Sequence, residues 1–544
     1  MRNVLRKPVT ATLAVVLTSA LALAGCGNSN NGSNSSAAPS GSAAPTGSAA
    51  PSQSASPEQK GPPITLKIEL FDRNNAPAGA PPLTDNFMTK YVQENFGDPN
   101  NITVEWVTVP RSEEVKKLNV LMASNSAPDL IFTYDKPTVQ NYVKSGGLTD
   151  LGPLIEQHGE QLKKVLAPSL PDGVFEGKQF AIPALRVIQA QTSTIIRKDW
   201  LDKLGLPLPT TTEEWYEAMK AFKEKDPGNT GGKVIPFSNI QHFQLKPLIN
   251  SFWDWSQVTD EDLFADPDGW TQAGTKEAFR LLNKMYHEGL LDKDFPLRKD
   301  FNQDFAQQIV TGVAGSAGTN TNELVYTGNY ANLKKNNAEA VFAPIDPFAT
   351  QDGKHPKPKY SASGIYLMVP AASKNAEAVV KYLNWMADPV NIRTLQLGQE
   401  GVSYEVGEDG LPVALTTPEA NQILYNNQDY AMIMNGKYIS PDEPEKNIAA
   451  NATDPQFKDF TIESIKIGTN DSYTTPRVDI PVEAEIKYSQ ILSEKVKSML
   501  AKIITVKADN FNSTYDQQIK EWQDMGGAEM IEEKRAAYKK FYNS

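Results

Sequence analysis

ITLKIELF at residues 64–71, ITVEWVTV at 102–109 and LIFT at 130–133 are three short apolar runs rich in β-branched and aromatic residues, the composition of buried strands. Between the first two, a helix is expected over residues 85–96, with Phe87, Tyr91 and Val92 towards one face. Between the second and third, RSEEVKKLNVLMAS (residues 111–124) repeats Val115, Leu118 and Leu121 or Met122 at helical spacing before Ser-Asn-Ser-Ala-Pro ends it. Strand, helix, strand, helix, strand predicts an α/β fold on a parallel sheet with right-handed crossovers. Ligands of such sheets bind beyond the carboxyl ends of the strands. Asp72 and Arg73 follow the first strand and Tyr134 and Asp135 the third, which makes all four candidate ligand-binding residues.

Upstream, Cys26 is the only cysteine of 544 residues and ends the stretch LALAGC, residues 21–26. It is preceded by a basic start (Arg2, Arg6, Lys7) and an apolar run over residues 9–24, too short and alanine-rich for a membrane span and of the pattern of a secretory signal. With no second cysteine there is no internal disulfide, so the fold must stand on its core. Residues 27–62 are Gly, Ser, Ala, Asn and Pro with almost nothing apolar to bury, a composition that predicts a flexible tether about 30–35 Å in mean span. About 480 residues follow, enough for two large lobes. The formal net charge of −12 excludes a nucleic-acid or anionic-membrane binder, since either requires a basic face.

Further along, residues 210–214 offer two overlapping Thr-x-x-Glu capping boxes, after which Trp215, Met219 and Phe222 share a helix face. Residues 276–291 repeat that pattern with Phe279, Leu282 and Tyr286, closing at Gly289. SASGIYLMVP (361–370) reads as a strand, residues 375–388 as a helix, and residues 481 onward as helical with a break at Gly526-Gly527.

Leu23-Ala24-Gly25-Cys26 closely resembles the lipobox of bacterial lipoproteins. That resemblance implies cleavage after residue 25, a diacylglyceryl thioether on Cys26, and anchoring to the outer face of the cell membrane. LNVLMASNSAPDLIF (118–132), GGLTDLGPLI (146–155), FEGKQFAIP (175–183) and IIRKDWLDKLGLPLPTTTEEWYEAMKAFKEKDP (195–227) resemble, in order and spacing, the landmarks of family 1 extracellular solute-binding proteins of ABC importers. The likeness is to the lipoprotein subgroup common in Gram-positive soil bacteria. It implies a two-lobe periplasmic-binding-protein-like fold, each lobe a mostly parallel sheet flanked by helices, with a hinge between them. Carried onto this chain, one lobe is 63–186 plus 355–393 and the other 187–354 plus 394–544. The implied partners are an oligosaccharide and the permease of the importer, the implied state a monomer. A peptide receptor is the alternative within the same class.

A sugar cleft needs flat aromatic faces and a few fixed hydrogen-bonding groups. Trp253 and Trp255 lie in the densest aromatic cluster of the chain, and two residues apart they are not expected to bury on one helix face; one of them is expected in the cleft. Arg186 follows Ala181-Ile182-Pro183, where the family chain runs through its hinge, and a guanidinium there suits hydroxyl or carboxylate groups. Gln189 and Gln191 share a strand face with it. Asn320, Asn322, Ser363 and Tyr404 qualify by loop or strand-end position.

Residues 226–233 (DPGNTGGK) stand where relatives carry a calcium loop, retaining Asp226 and Asn229 but with no further carboxylate before Pro236. Calcium takes about six to eight oxygens, so a plain turn and a calcium site are both open on the sequence, and no other cofactor is expected. The four histidines are scattered, without a zinc spacing or a nucleophile elbow, so an enzyme is not expected. The rival class is a tethered polysaccharide hydrolase, which needs only a pair of carboxylates.

Overall fold

The computed structural model describes residues 62–298, 301–408, 410–439, 444–452 and 454–543. The signal, Cys26 and the tether lie outside the described residues. The three runs that open the sequence reading become strands β1 (Ile64–Asp72), β2 (Ile102–Pro110) and β3 (Ile131–Thr133). β1 and β2 are parallel, in register from Ile64 opposite Ile102 to Asp72 opposite Pro110, and a parallel bridge from Ile68 to Leu130 attaches β3. The helix expected over 85–96 stops at Val92 and continues as a π turn, Gln93–Gly97. There the Gln93 amide donates to the Ile102 carbonyl and accepts from Val104 N, both at 2.9 Å, fastening the helix end to β2.

Seven further strands complete two sheets: β4 (Ile182–Arg186), β5 (Thr192–Arg197), β6 (Ile235–Ser238), β7 (Ala314–Asn320), β8 (Phe342–Ile345), β9 (Ser363–Met368) and β10 (Met434–Asn435). The first sheet runs β10-β4-β9-β3 and is extended through the bridge to β1 and β2; the second runs β8-β5-β7-β6. Each is mixed rather than mostly parallel. β9 is antiparallel to β3 and β4, and β5 is antiparallel to β7 and β8. The direction of travel explains this: β5 and β9 each arrive straight from the other sheet, so they run inward while their neighbours run back out.

Each sheet has its own core. Leu66, Ile68, Phe132, Ile182 and Leu367 pack around the first, and Ile196, Trp200, Trp215, Phe237 and Leu282 around the second. The expected boundary at residue 394 is corrected by this packing. Leu395, Tyr430, Ile433 and Met434 are buried in the first core, and β10 pairs in parallel with β4, Met434 opposite Leu185. Without β10 the β4 edge would present unpaired backbone groups, so the chain stays with the first sheet until about residue 436. The boundary at 355 moves as well, since Lys357, buried, pairs with Asp346 at 2.7 Å and Lys357–Pro358 lies against Ser472–Tyr473, on the second side.

The chain therefore crosses between the sheets at 187–191, at 359–362 and after Asn435. The third crossing starts at Gly436, whose φ of 112° suits glycine and where a Cβ would meet Val187 at 3.1 Å.

Candidate binding cleft

The outward strands β3, β4, β7 and β10 end where the crossings begin, and one row of side chains bridges those ends. Asn435, closing β10, donates from its amide to the Tyr134 hydroxyl at 3.3 Å. Arg186, closing β4, donates to Asn435 Oδ1 at 3.4 Å and to the Ser363 carbonyl at 3.2 Å. Its guanidinium carbon lies 4.0 Å from the ring centroid of Tyr360, a cation–π contact. Tyr360, on the second crossing, accepts at its hydroxyl from the Asn320 amide at 3.1 Å, and Asn320 closes β7. The row Tyr134, Asn435, Arg186, Tyr360, Asn320 thus starts on one sheet and ends on the other.

Its flanks are aromatic and charged. On the first side Arg111 stacks on Tyr134 at 4.7 Å and pairs with Glu114 at 2.8 Å. Arg73 grips Asp429 through two hydrogen bonds of 2.7 and 2.8 Å. On the second side Glu323 accepts from Asn320 N at 3.2 Å, and burial pushes its carboxyl above the usual range. Tyr326 is 55% exposed. Tyr473 lies 5.0 Å from Trp255 and takes a hydrogen bond from Asn250 at 2.9 Å.

Of the residues singled out from sequence, Arg186, Tyr134 and Asn320 are brought together in the row. Arg73 is half-buried beside it, committed to Asp429. Asp135 is turned to a structural task, capping the helix Lys136–Lys144 by accepting from Thr138 N at 2.9 Å. Asp72 is exposed and closes a local turn on Asn74 N. Ser363 lends its carbonyl to Arg186 but turns its buried hydroxyl to Asp172. Gln189 receives Tyr360 N at its backbone carbonyl, while Gln191 Oε1 is buried without a hydrogen bond. Asn322 starts the short helix Glu323–Tyr326 without capping it. Tyr404 is buried in the hairpin of Tyr404–Val406 and Pro412–Ala414.

Trp253 corrects the expectation made for it. It is 4% exposed, donates to Thr275 Oγ1 at 2.9 Å and lies so close to Gly269 that a Cβ there would sit 1.9 Å from the indole; it belongs to the second core. Trp255 stays half-buried, stacked on Trp253 at 5.5 Å with its indole nitrogen on the Asn250 carbonyl. Tyr360, Asn435, Tyr326 and Tyr473 were not singled out. The β-run 361–370 begins one residue after Tyr360, so its position at a strand entrance was the available signal.

The loop at Asp226 is closed on itself by its own hydrogen bonds. Asp226 Oδ1 accepts from Thr230 N and Oγ1, both at 2.9 Å, and Oδ2 from Gly232 N at 3.0 Å. Burial works against that charge, but the Gly232 and Thr230 donors hold its carboxyl below the usual range. Lys203 occupies the Pro227 carbonyl at 3.0 Å, and Asn229 only closes the turn through its N–H. Among the described residues no group of three or more His, Cys, Asp or Glu side chains is placed to hold a metal.

Comparison with known proteins agrees with this architecture. The family model described as bacterial extracellular solute-binding protein matches residues 80–392. Lipoprotein LipO of Bacillus subtilis (strain 168) is 26% identical over 463 residues, covering 80% of this chain and 86% of that one. The polygalacturonan/rhamnogalacturonan-binding protein YtcQ of the same organism is 26% identical over 469 residues, covering 81% and 86%. Among solved structures, the EF-hand mutant of the ABC-transporter substrate-binding protein FusA of S. pneumoniae in complex with fructo-nystose superposes with a TM-score of 0.65 at 19% identity, covering 88% of this chain and 99% of that one.

Proposed function

The chain belongs to the family of bacterial extracellular solute-binding proteins, and from that premise we propose that it is the lipid-anchored receptor of an ABC importer, taking an oligosaccharide between its two lobes and passing it unchanged to a membrane permease. The observation that carries the reading is the row from Tyr134 to Asn320. It offers an aromatic face at Tyr360, fixed amide groups at Asn435 and Asn320 and a guanidinium at Arg186, the combination a sugar needs. The names of LipO, YtcQ and FusA support a lipoprotein and a carbohydrate ligand. The lipobox at Cys26 supports the anchor, and about two acyl chains suffice for stable attachment.

The receptor acts as a monomer, without catalysis and without a bound metal at the Asp226 loop. No helix of the described residues is long and apolar enough to cross a membrane, so the anchor and the permease supply the contact with the bilayer.

Calorimetry of the purified protein against oligosaccharides and peptides, followed by chromatography of the recovered ligand, tests the reading. An oligosaccharide binds and returns intact. Binding of peptides alone, or turnover of the sugar abolished by a single carboxylate substitution, overturns it.

A further inference from the structure

Away from the crossings the two sides also meet at Arg477. This residue belongs to the second side: its carbonyl accepts from the Tyr542 hydroxyl at 2.9 Å, its guanidinium carbon lies 5.8 Å from the centroid of the Phe541 ring, and the next residue, Val478, is buried with Phe264 and Ala537. Asp172 belongs to the first side. It lies in the turn Leu170–Gly173, and Ser169 just before that turn donates from its hydroxyl to the Pro183 carbonyl of β4 at 2.8 Å. Arg477 Nε is 3.9 Å from Asp172 Oδ1, while Nη2 is 3.6 Å from Oδ2 of Asp479, a carboxylate of its own segment.

An N–H···O bond closes at about 2.7–3.2 Å, so both separations are ion-pair distances and neither is a hydrogen bond. Arg477 Nε is nonetheless buried and donates no hydrogen bond among the described residues. A buried donor without an acceptor carries a cost that a hydrogen bond would remove, and of the two carboxylates within reach one stands on each side. A shift of about 1 Å between the sides would complete the bond to Asp172; the opposite shift would leave Arg477 to Asp479. The side chains of Arg477 and Asp172 are 35% and 21% exposed, so solvent screens this pair less than it screens Lys144 and Glu483, at 51% and 69%.

Asp172 is joined in turn to the row. Its Oδ2 accepts from the Ser363 hydroxyl, the Ser363 carbonyl accepts from Arg186 Nε at 3.2 Å, and Arg186 stacks on Tyr360. We infer that Arg477 is a positioning residue for ligand capture, a latch whose guanidinium bonds Asp479 while the lobes stand apart and Asp172 when they close. This rests on the reading above, in which the lobes take a ligand between them, and adds a residue that acts through Asp172. When only a fraction of the molecules is in the binding-competent state, apparent affinity falls by that fraction. The balance between the two carboxylates therefore sets the resting separation of the lobes and, through it, the affinity.

Lobe separation is measured by pulsed electron spin resonance on the full-length chain. Cys26→Ser removes the native thiol, and nitroxides are placed on Lys117→Cys and Lys225→Cys, exposed positions of the first and second sides. Without any ligand, Asp479→Asn is expected to raise the ratio of closed to open molecules about threefold and Asp172→Asn to lower it about threefold. Arg477→Gln is expected to make both substitutions silent, a pattern of sign and loss that a merely structural arginine would not produce. Asparagine keeps an acceptor oxygen for the Ser363 hydroxyl; should Asp172→Asn still fail to fold, Asp479→Asn with and without Arg477→Gln carries the test.

Shifts of the same sign, shifts that survive Arg477→Gln, or no shift at all overturn the latch. The parent is measured in parallel with maltotriose, xylotriose and trigalacturonate. A separation that shortens with a sugar while the substitutions stay silent overturns the latch and leaves the receptor reading standing. Opposite shifts from the two substitutions with no response to any of the sugars support the latch and count against the oligosaccharide reading.

Discussion

The guanidinium of Arg186 and the ring of Tyr360 face each other at 4.0 Å across the point where the chain passes between its two sheets. Arg186 ends a strand of the first sheet and Tyr360 precedes the strand that returns to it, so neither residue belongs wholly to one lobe. A ligand lying on that pair touches the crossings themselves, and its binding is thereby coupled to how the lobes stand.

Tyr360 and Trp253 should separate cleft from core. Tyr360→Ala removes a stacking face and is expected to weaken ligand binding more than about tenfold, with a modest change in melting temperature. Trp253→Ala leaves a cavity beneath Gly269 and is expected to cost about 3–5 kcal/mol of stability. Denaturant titration and calorimetry of the two variants check this; a Trp253→Ala protein of wild-type stability would contradict the core placement.

Glu69 predicts a dependence of stability on pH. It is fully buried in β1, and burial, opposed by the Phe132 N–H at 2.9 Å, pushes its carboxyl up from 4.5 to about 8. The folded state therefore binds more protons than the unfolded one between those values, so this group's contribution to stability is full below pH 4.5 and is lost as pH rises towards about 8. Glu69→Gln keeps the shape without the charge. Its melting temperature should exceed that of the parent at pH 8 and converge with it below pH 4.5, and equal melting curves at pH 8 would refute the assignment.

How much of this was legible in the sequence follows from what each residue depends on. β1 to β3 were readable because strand and helix periods are local, and Arg186 because it ends a recognisable run. Asn435 was not, since β10 has two residues and no period can be seen in so short a strand. Trp253 and Trp255 look alike in sequence. They differ because Gly269, distant in the chain, lets backbone close over the first indole, while Gly274 lets it close on the Phe252 carbonyl, and such an approach leaves no mark near residue 253. The boundary near residue 394 failed for a related reason: the chain goes on filling the first core through Met434 without any change of composition.

Cys26 is the sole acylation site that the lipobox reading allows. Cys26→Ser is expected to release the protein into the culture fluid, or to block its processing, while ligand affinity stays within about twofold, because every residue of the row from Tyr134 to Asn320 comes after the stretch whose composition predicts a tether. Fractionation and calorimetry check both halves, and a mature Cys26→Ser protein retained on the membrane would rule the anchor out.

Lobe closure is the last expectation, and magnitudes decide what drives it. Lys144 and Glu483 meet at 2.5 Å across the two halves, but their side chains are 51% and 69% exposed, and exposed pairs contribute about 0–1 kcal/mol. Moving a population from about 1:99 to 99:1 closed takes about 5.5 kcal/mol of preferential binding, beyond what such a pair supplies. Contacts from both ends of the row to one ligand are then required. Ligand should reduce the radius of gyration measured by small-angle scattering. Glu483→Lys should leave that reduction in place, with affinity changed by less than about tenfold, whereas Tyr360→Ala should suppress it at the same ligand concentration. A radius unchanged at saturating ligand would show that the row binds without closing the lobes.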